Sequence, residues 1–289
     1  MTENTVNEGR VVVGVDTSDN AARAAAWAAR EAADRGLKLV IVHALDLPIG
    51  AAAAIEPAGY AEAHRSHATA LLDRVAAPLR EQYPQLVIET EVAEIDPARA
   101  LVTLSMGSEL VVTGTRGHGG FAGLLLGSVS LKCAAHALSP VVVVRGEEPG
   151  EARDEIVLGV ECEQHEAPIR FAFATAARLG ATVCPVRAWQ PKIAYGGYYT
   201  EGIDITQTHE AADLESLLKP VREEFPNVPV RPATVEGNPV PMLIGASRGA
   251  RLLVVGAHRH RSPLSVGAGY VVQGLLSHSP TPVAVVPIV

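Results

Sequence analysis

Apolar and polar positions change along this chain in blocks. Residues 11–15 (VVVGV) form a continuous apolar run, as expected of a strand buried on both faces of a parallel sheet. An alanine-rich stretch with helical spacing follows from Ser18 to Arg35, and Gly36 stops it. The same alternation predicts a strand over 37–44, a helix over 60–82 and a strand over 86–92. It continues with a helix over 97–106, a strand over 109–113, a glycine-rich loop, a helix over 128–137 and a strand over 141–145. Five strands separated by four helices predict a doubly wound α/β sheet.

The pattern then repeats. RVVVGVDTSDN at 10–20 is echoed by EIVLGVECEQH at 155–165, placing Gly159 over Gly14 and Glu161 over Asp16. VIVHALD at 40–46 reads against VCPVRAW at 183–189, and LREQYPQLVIETEVAEIDP at 79–97 against VREEFPNVPVRPATVEGNP at 221–239. ELVVTG and LSPVVVVR return as RLLVVG and HSPTPVAVVP. The period is one domain length, far longer than a solenoid repeat. Two tandem domains are therefore expected, residues 1–147 and 148–289, each a five-stranded parallel sheet flanked by helices. The acidic GEEPGEARD (146–154) is the linker between them.

Composition narrows the function classes. Of 289 residues, 48% are hydrophobic and 19% charged, as in an ordinary globular protein. A net charge of −8 argues against a nucleic-acid surface, which would need a basic stripe. The run from Leu39 to Ile55 is broken by His43, Asp46 and Pro48, so no membrane span is expected. The first ten residues (MTENTVNEGR) lack the basic and apolar regions of a secretory signal. Cys133, Cys162 and Cys184 show no metal or CxxC spacing and read as reduced thiols in a cytoplasmic protein.

The chemistry gathers at the ends of strands. VVTGTRGHGGFAGLLLGSVS (111–130) places six glycines between positions 114 and 127. In open α/β sheets, ligands sit beyond the carboxyl ends of the strands, where the strand order reverses. If strands one and four are neighbours, the VDTS turn and this loop share one crevice, and the helix opening at Ser128 points its free N–H groups into it, an anion site suited to phosphate. A P-loop is excluded because the chain has no Gly-Lys pair. Gly117-His118-Gly119-Gly120-Phe121-Ala122 spells a dinucleotide fingerprint, but after strand four rather than strand one, and without its ribose-binding acid.

A third pattern fits: Gly114-x-x-Gly117, nine residues, then Gly127-Ser128, with a first strand ending at Asp16, VHA closing strand two and SPVVVV as the last strand. Across both halves this resembles the ATP-binding signature of the universal stress protein family, in which tandem pairs occur. The resemblance implies that Asp16 contacts the ribose or adenine side, with backbone at Gly14 and Ala44 against the base. It implies that Gly114, Gly117, Gly119 and Gly120 wrap ribose and phosphates, and that Gly127, Ser128 and Ser130 donate to phosphates. Arg116 and His118 are candidate phosphate contacts or solvated loop residues. It further implies ATP, with Mg²⁺, as cofactor, a protein partner, homodimers, and pseudo-twofold pairing of the two domains through the apolar strands at 141–144 and 283–286.

Other chemistry-bearing residues have ordinary explanations. His64 and His67 lack a third metal ligand. His43 ends a buried strand and reads as a structural hydrogen-bonder. Asp16 also suits a bracing role before the helix. Tyr195, Tyr198 and Tyr199 fall in a long loop, as lid or as packing. In the second copy Gly256 and Gly269 match Gly114 and Gly127, but Arg259 replaces Gly117 and Tyr270 replaces Ser128. That copy is expected to be the weaker nucleotide site, with His258, Arg259, His260 and Arg261 as an alternative phosphate cluster. Phosphoryl transfer needs a charge clamp, a metal-holding acid and a positioned nucleophile. No lysine and no acid stands between Gly114 and Leu131. The expected function is a nucleotide-dependent regulator; the alternatives are a slow ATPase or nucleotide-transferring enzyme, and a scaffold that binds no nucleotide.

Overall fold

The computed structural model describes residues 9–45, 59–115, 126–145, 153–161, 165–190, 202–258 and 268–288. The chain divides into two compact units, Met1–Arg145 and Gly146–Val289. The first runs β1 (Arg10–Gly14), α1 (Asp19–Arg35), β2 (Lys38–Ala44), α2 (Tyr60–Gln82), β3 (Ile88–Ala93), α3 (Pro97–Leu104), β4 (Leu110–Gly114), α4 (Ser128–His136) and β5 (Val141–Val144). The second runs β6 (Arg153–Gly159), α5 (Glu166–Leu179), β7 (Thr182–Trp189), α6 (Gly202–Glu224), β8 (Ala233–Glu236), α7 (Pro239–Ser247), β9 (Ala250–His258), α8 (Tyr270–His278) and β10 (Val283–Ile288). The first-unit elements lie within two residues of the positions the hydrophobic pattern predicts.

All strand pairs in both units are parallel. The first unit has the order β3-β2-β1-β4-β5 and the second β10-β9-β6-β7-β8. Each unit is thus a doubly wound α/β domain. The order reverses between β1 and β4, and between β6 and β9. α1 and α2 pack together over one side of the first sheet, α3 and α4 over the other.

Local sequence explains these elements. Ala21, Ala24, Ala25, Ala28, Ala29 and Ala32 form the buried stripe of α1, and such small side chains bring the helix axis close to the sheet. Ser18 caps the helix by accepting from Ala21 N, and Gly36 closes it in the left-handed conformation, where glycine carries no Cβ penalty. Pro97 and Pro239 open α3 and α7 behind the capping residues Asp96 and Asn238.

The strand pairing corrects one alignment of the two copies. Val11 pairs with Leu39 and Gly14 with Val42, while Ile156 pairs with Val183 and Gly159 with Val186. Residues 39–45 therefore correspond to 183–189, and His43 corresponds to Arg187. The sequence pairing at 40–46 is one residue out, because a featureless apolar strand slips without losing its valine matches, although every side chain changes face.

Candidate functional site

The carboxyl ends of β1 and β4 lie side by side, since Val11, Val12 and Val13 pair with Leu110, Val111 and Val112. The turn after β1 and the start of α4 therefore flank the reversal of strand order. Val15 is tied to β2 twice: its N–H donates to Val42 O at 2.8 Å, and its carbonyl accepts from His43 Nδ1 at 2.8 Å. Asp16 Oδ1 then accepts from Ser18 N at 2.9 Å and Ser18 Oγ at 2.6 Å. Ser18 Oγ in turn accepts from Ala21 N at 3.2 Å. Asp16 is half-buried and braces the first turn of α1.

On the β4 side, Gly127 N donates to Thr115 O at 2.7 Å and Ser130 Oγ to Gly114 O at 2.6 Å. The buried Ser130 thus spends its hydroxyl proton on fixing α4 to β4. Gly127 occupies the N-cap of α4 with φ −77° and ψ 150°, a conformation open to any residue, and provides no side-chain cap. Ser128 is exposed at the first helical position. The N-cap residue therefore supplies no side chain to the first N–H groups of α4.

Gly14 and Gly114 serve helix packing. A Cβ on Gly14 would stand 2.6 Å from Leu101 Cδ1 of α3, and one on Gly114 would stand 2.9 Å from Asn20 O in α1. The second unit repeats the constraint: a Cβ on Gly159 would lie 3.0 Å from Leu243 Cδ1, and one on Gly256 would lie 2.9 Å from Pro168 Cγ. Sequence reading assigns Gly14 and Gly114 to a ligand; the geometry gives them a reason independent of one. Ala44, half-buried, closes β2 opposite Ala93. Arg116, Gly117, His118, Gly119 and Gly120 lie outside the described residues, as do Tyr195, Tyr198, Tyr199, Cys162 and Arg259–Arg261.

The second crevice is built differently. Glu161 lies 3.8 Å from His258 Nε2, and the His258 ring stands edge-on to His165 with centroids 5.7 Å apart. Gly269 takes φ 80° and ψ 155°, which only glycine readily adopts, and Tyr270 is 72% exposed at the start of α8. Arg187, only 2% exposed, forms ion pairs with Glu210 and Asp213 of α6. Sequence reading missed this cluster, because the three residues meet only once α6 folds over β7.

Elsewhere, His64 packs its ring against Tyr60. Among the described residues no group of three His, Cys, Asp or Glu is arranged to hold a metal ion. No helix among them is long and apolar enough to cross a membrane. Cys133 and Cys184 are buried and free. Burial pushes the Cys133 thiol up to about 12, with Asp96 adding to the rise and Lys132 opposing it.

A pair of doubly wound α/β domains, each with a crevice where its strand order reverses, defines the class. The universal stress protein family profile matches residues 8–145 and 152–287. A universal stress protein of Mycobacterium tuberculosis is 30% identical over 285 residues, covering 95% of each chain. One of Mycolicibacterium smegmatis is 29% identical over 289 residues, covering 96% of each. The crystal structure of a universal stress protein from Archaeoglobus fulgidus shares the fold, with a TM-score of 0.76 at 16% identity over 97% of this chain and 99% of that one. The chain belongs to the universal stress protein family.

Proposed function

We propose that the first unit binds an adenine nucleotide, ATP with Mg²⁺, and that occupancy of this crevice makes the protein a nucleotide-dependent regulator in the cytoplasm. The observation that carries this reading is Gly127. Its backbone would tolerate any side chain, yet the residue is glycine at the uncapped start of α4. A missing Cβ there leaves the helix N–H groups open to phosphate oxygens.

The donor set fits such a ligand. Asp16 offers a carboxylate suited to ribose hydroxyls, α4 offers N–H groups and the Ser128 hydroxyl, and the end of β2 at Ala44 is small enough to admit a base. Gly117, Gly119, Gly120, Arg116 and His118 are proposed to complete the phosphate side, on the family signature alone. Mg²⁺ would be held mainly by phosphates and water, as is usual for this ion.

A regulator is favoured over an enzyme because the loop between Gly114 and Leu131 contains neither lysine nor acid to clamp a transferring phosphoryl group. The test is to denature the purified protein and identify any released nucleotide by chromatography, then titrate the refolded protein with ATP in a calorimeter. An adenine nucleotide and a binding isotherm are expected. NAD(H) in the supernatant would replace this reading with a dinucleotide one, and no nucleotide with no isotherm would leave a scaffold.

A further inference from the structure

We infer that His43 is the positioning residue of the first crevice: it fixes the turn that carries Asp16, and so sets where that carboxylate meets a ligand. This rests on the nucleotide reading of the same crevice. A carbonyl oxygen has no proton, so in the 2.8 Å contact between His43 Nδ1 and Val15 O the ring nitrogen is the donor. A neutral imidazole carries one N–H, and the neutral ring is therefore held as the Nδ1–H tautomer, with Nε2 left as an acceptor. Both backbone polar groups of Val15 are then committed to β2, the N–H to Val42 and the carbonyl to His43. The next residue is Asp16, whose own carboxylate binds Ser18 N and Oγ. One side chain from β2 thus anchors a chain of hydrogen bonds running through Val15, Asp16 and Ser18 to the first turn of α1.

The second unit shows what accompanies a different residue at this place. Arg187 stands at the position of His43, and α6 matches α2 with Pro220 over Pro78 in helices of 23 residues each. On that register Glu210 corresponds to Ala68 and Asp213 to Leu71, both buried in the first unit. Three changes together put an ion cluster, anchored on the buried Arg187, where the first unit has His43, Ala68 and Leu71. A proton-donating ring at the end of β2 is thus a feature of the first crevice, where the turn carries Asp16 rather than Glu161.

The test compares full-length wild type with His43→Leu, His43→Asn and His43→Gln. Asparagine places its amide N–H near the position of Nδ1, whereas glutamine reaches toward Nε2. Three quantities are read: the His43 tautomer by ¹⁵N NMR, amide exchange at Ser18, and ATP affinity by calorimetry. The expected results are an Nδ1–H neutral ring and, in H43L and H43Q, Ser18 exchange accelerated at least fivefold. ATP affinity in both should fall about tenfold, the loss of one well-made hydrogen bond, while H43N stays close to wild type. An Nε2–H ring, or H43Q matching wild type while H43N does not, overturns the inference. If H43L fails to fold, the asparagine–glutamine comparison decides. Wild-type protein that binds no ATP sinks the nucleotide reading and with it the ligand role of His43, whereas the tautomer and Ser18 exchange still decide whether His43 holds the turn.

Discussion

A methyl group added at Gly114 would meet a backbone carbonyl oxygen of α1 at 2.9 Å, whereas one at Gly14 would meet the movable end of Leu101 at 2.6 Å. The helix backbone cannot yield without moving the first turn of α1, but Leu101 can change rotamer. Gly114→Ala should therefore cost roughly 1–3 kcal/mol, the usual range for overpacking, and Gly14→Ala distinctly less. Urea denaturation of the two variants checks the order, and equal losses would refute it. On the proposed function Asp16 has two separable duties, bracing α1 and meeting the ligand. Asp16→Ala should loosen the start of α1 through Ser18 and lower ATP affinity about tenfold, whereas Ser18→Ala should loosen the helix and leave most of the affinity. Calorimetry on both variants separates bracing from ligand contact. The residue types at these positions were legible in the sequence; their packing reasons were not, because Leu101 and Asn20 are distant in sequence from the glycines they touch.

Helices α4 and α8 begin at glycines that look equivalent in sequence and differ in backbone. Gly127 has an ordinary extended conformation, while Gly269 has φ 80° and ψ 155°. Gly127→Ala should leave stability within about 0.5 kcal/mol of wild type while weakening ATP binding, since the new Cβ would stand among the N–H groups offered to phosphate. Gly269→Ala should instead cost about 1–3 kcal/mol in stability. Thermal melts with and without ATP distinguish the two outcomes, and unchanged ATP binding in Gly127→Ala would remove the main support for the proposed function. Helix α4 also carries Cys133, whose thiol is pushed from an ordinary value of 9.0 up to about 12 by burial. Because the folded value is raised, the native state is favoured by this group at neutral pH. That contribution fades as the unfolded thiol ionises above about pH 9, at up to about 1.4 kcal/mol per pH unit until the folded thiol ionises as well. Cys133→Ala should flatten the fall of stability between pH 9 and 11 measured by urea titration, and an unchanged slope would count against the buried neutral thiol.

For the whole chain, two copies of one fold do not imply two equal sites. The first unit pairs Asp16 with a glycine-opened α4. The second pairs Glu161 with His258, places Tyr270 at the start of α8 and fills the seam between β7 and α6 with charge. Titration of the full-length protein should give one equivalent of ATP per chain, bound about tenfold more weakly in Asp16→Ala and with unchanged affinity in Glu161→Ala. Two equal equivalents would show that the histidines of the second crevice replace what glycine provides in the first. Turnover should lie far below the roughly 1–10³ per second of working enzymes. A clean preparation hydrolysing ATP at several per second would overturn the regulatory reading.

The sequence by itself determined the duplication and the alternation of strands and helices, because hydrophobic period is a local property of the chain. It also put Asp16 after β1 and Gly127 and Ser128 after β4, on the condition that these strands are neighbours. The pairing of Val11, Val12 and Val13 with Leu110, Val111 and Val112 meets that condition. Tertiary structure alone decided register and contact. It moved the alignment of β2 with β7 by one residue and so matched His43 with Arg187. It turned Ser130 toward Gly114, and it joined Arg187 to Glu210 and Asp213. Such facts depend on which side chains face each other across a sheet or a helix seam, and a one-residue slip, invisible in a run of valines, reverses every one of them.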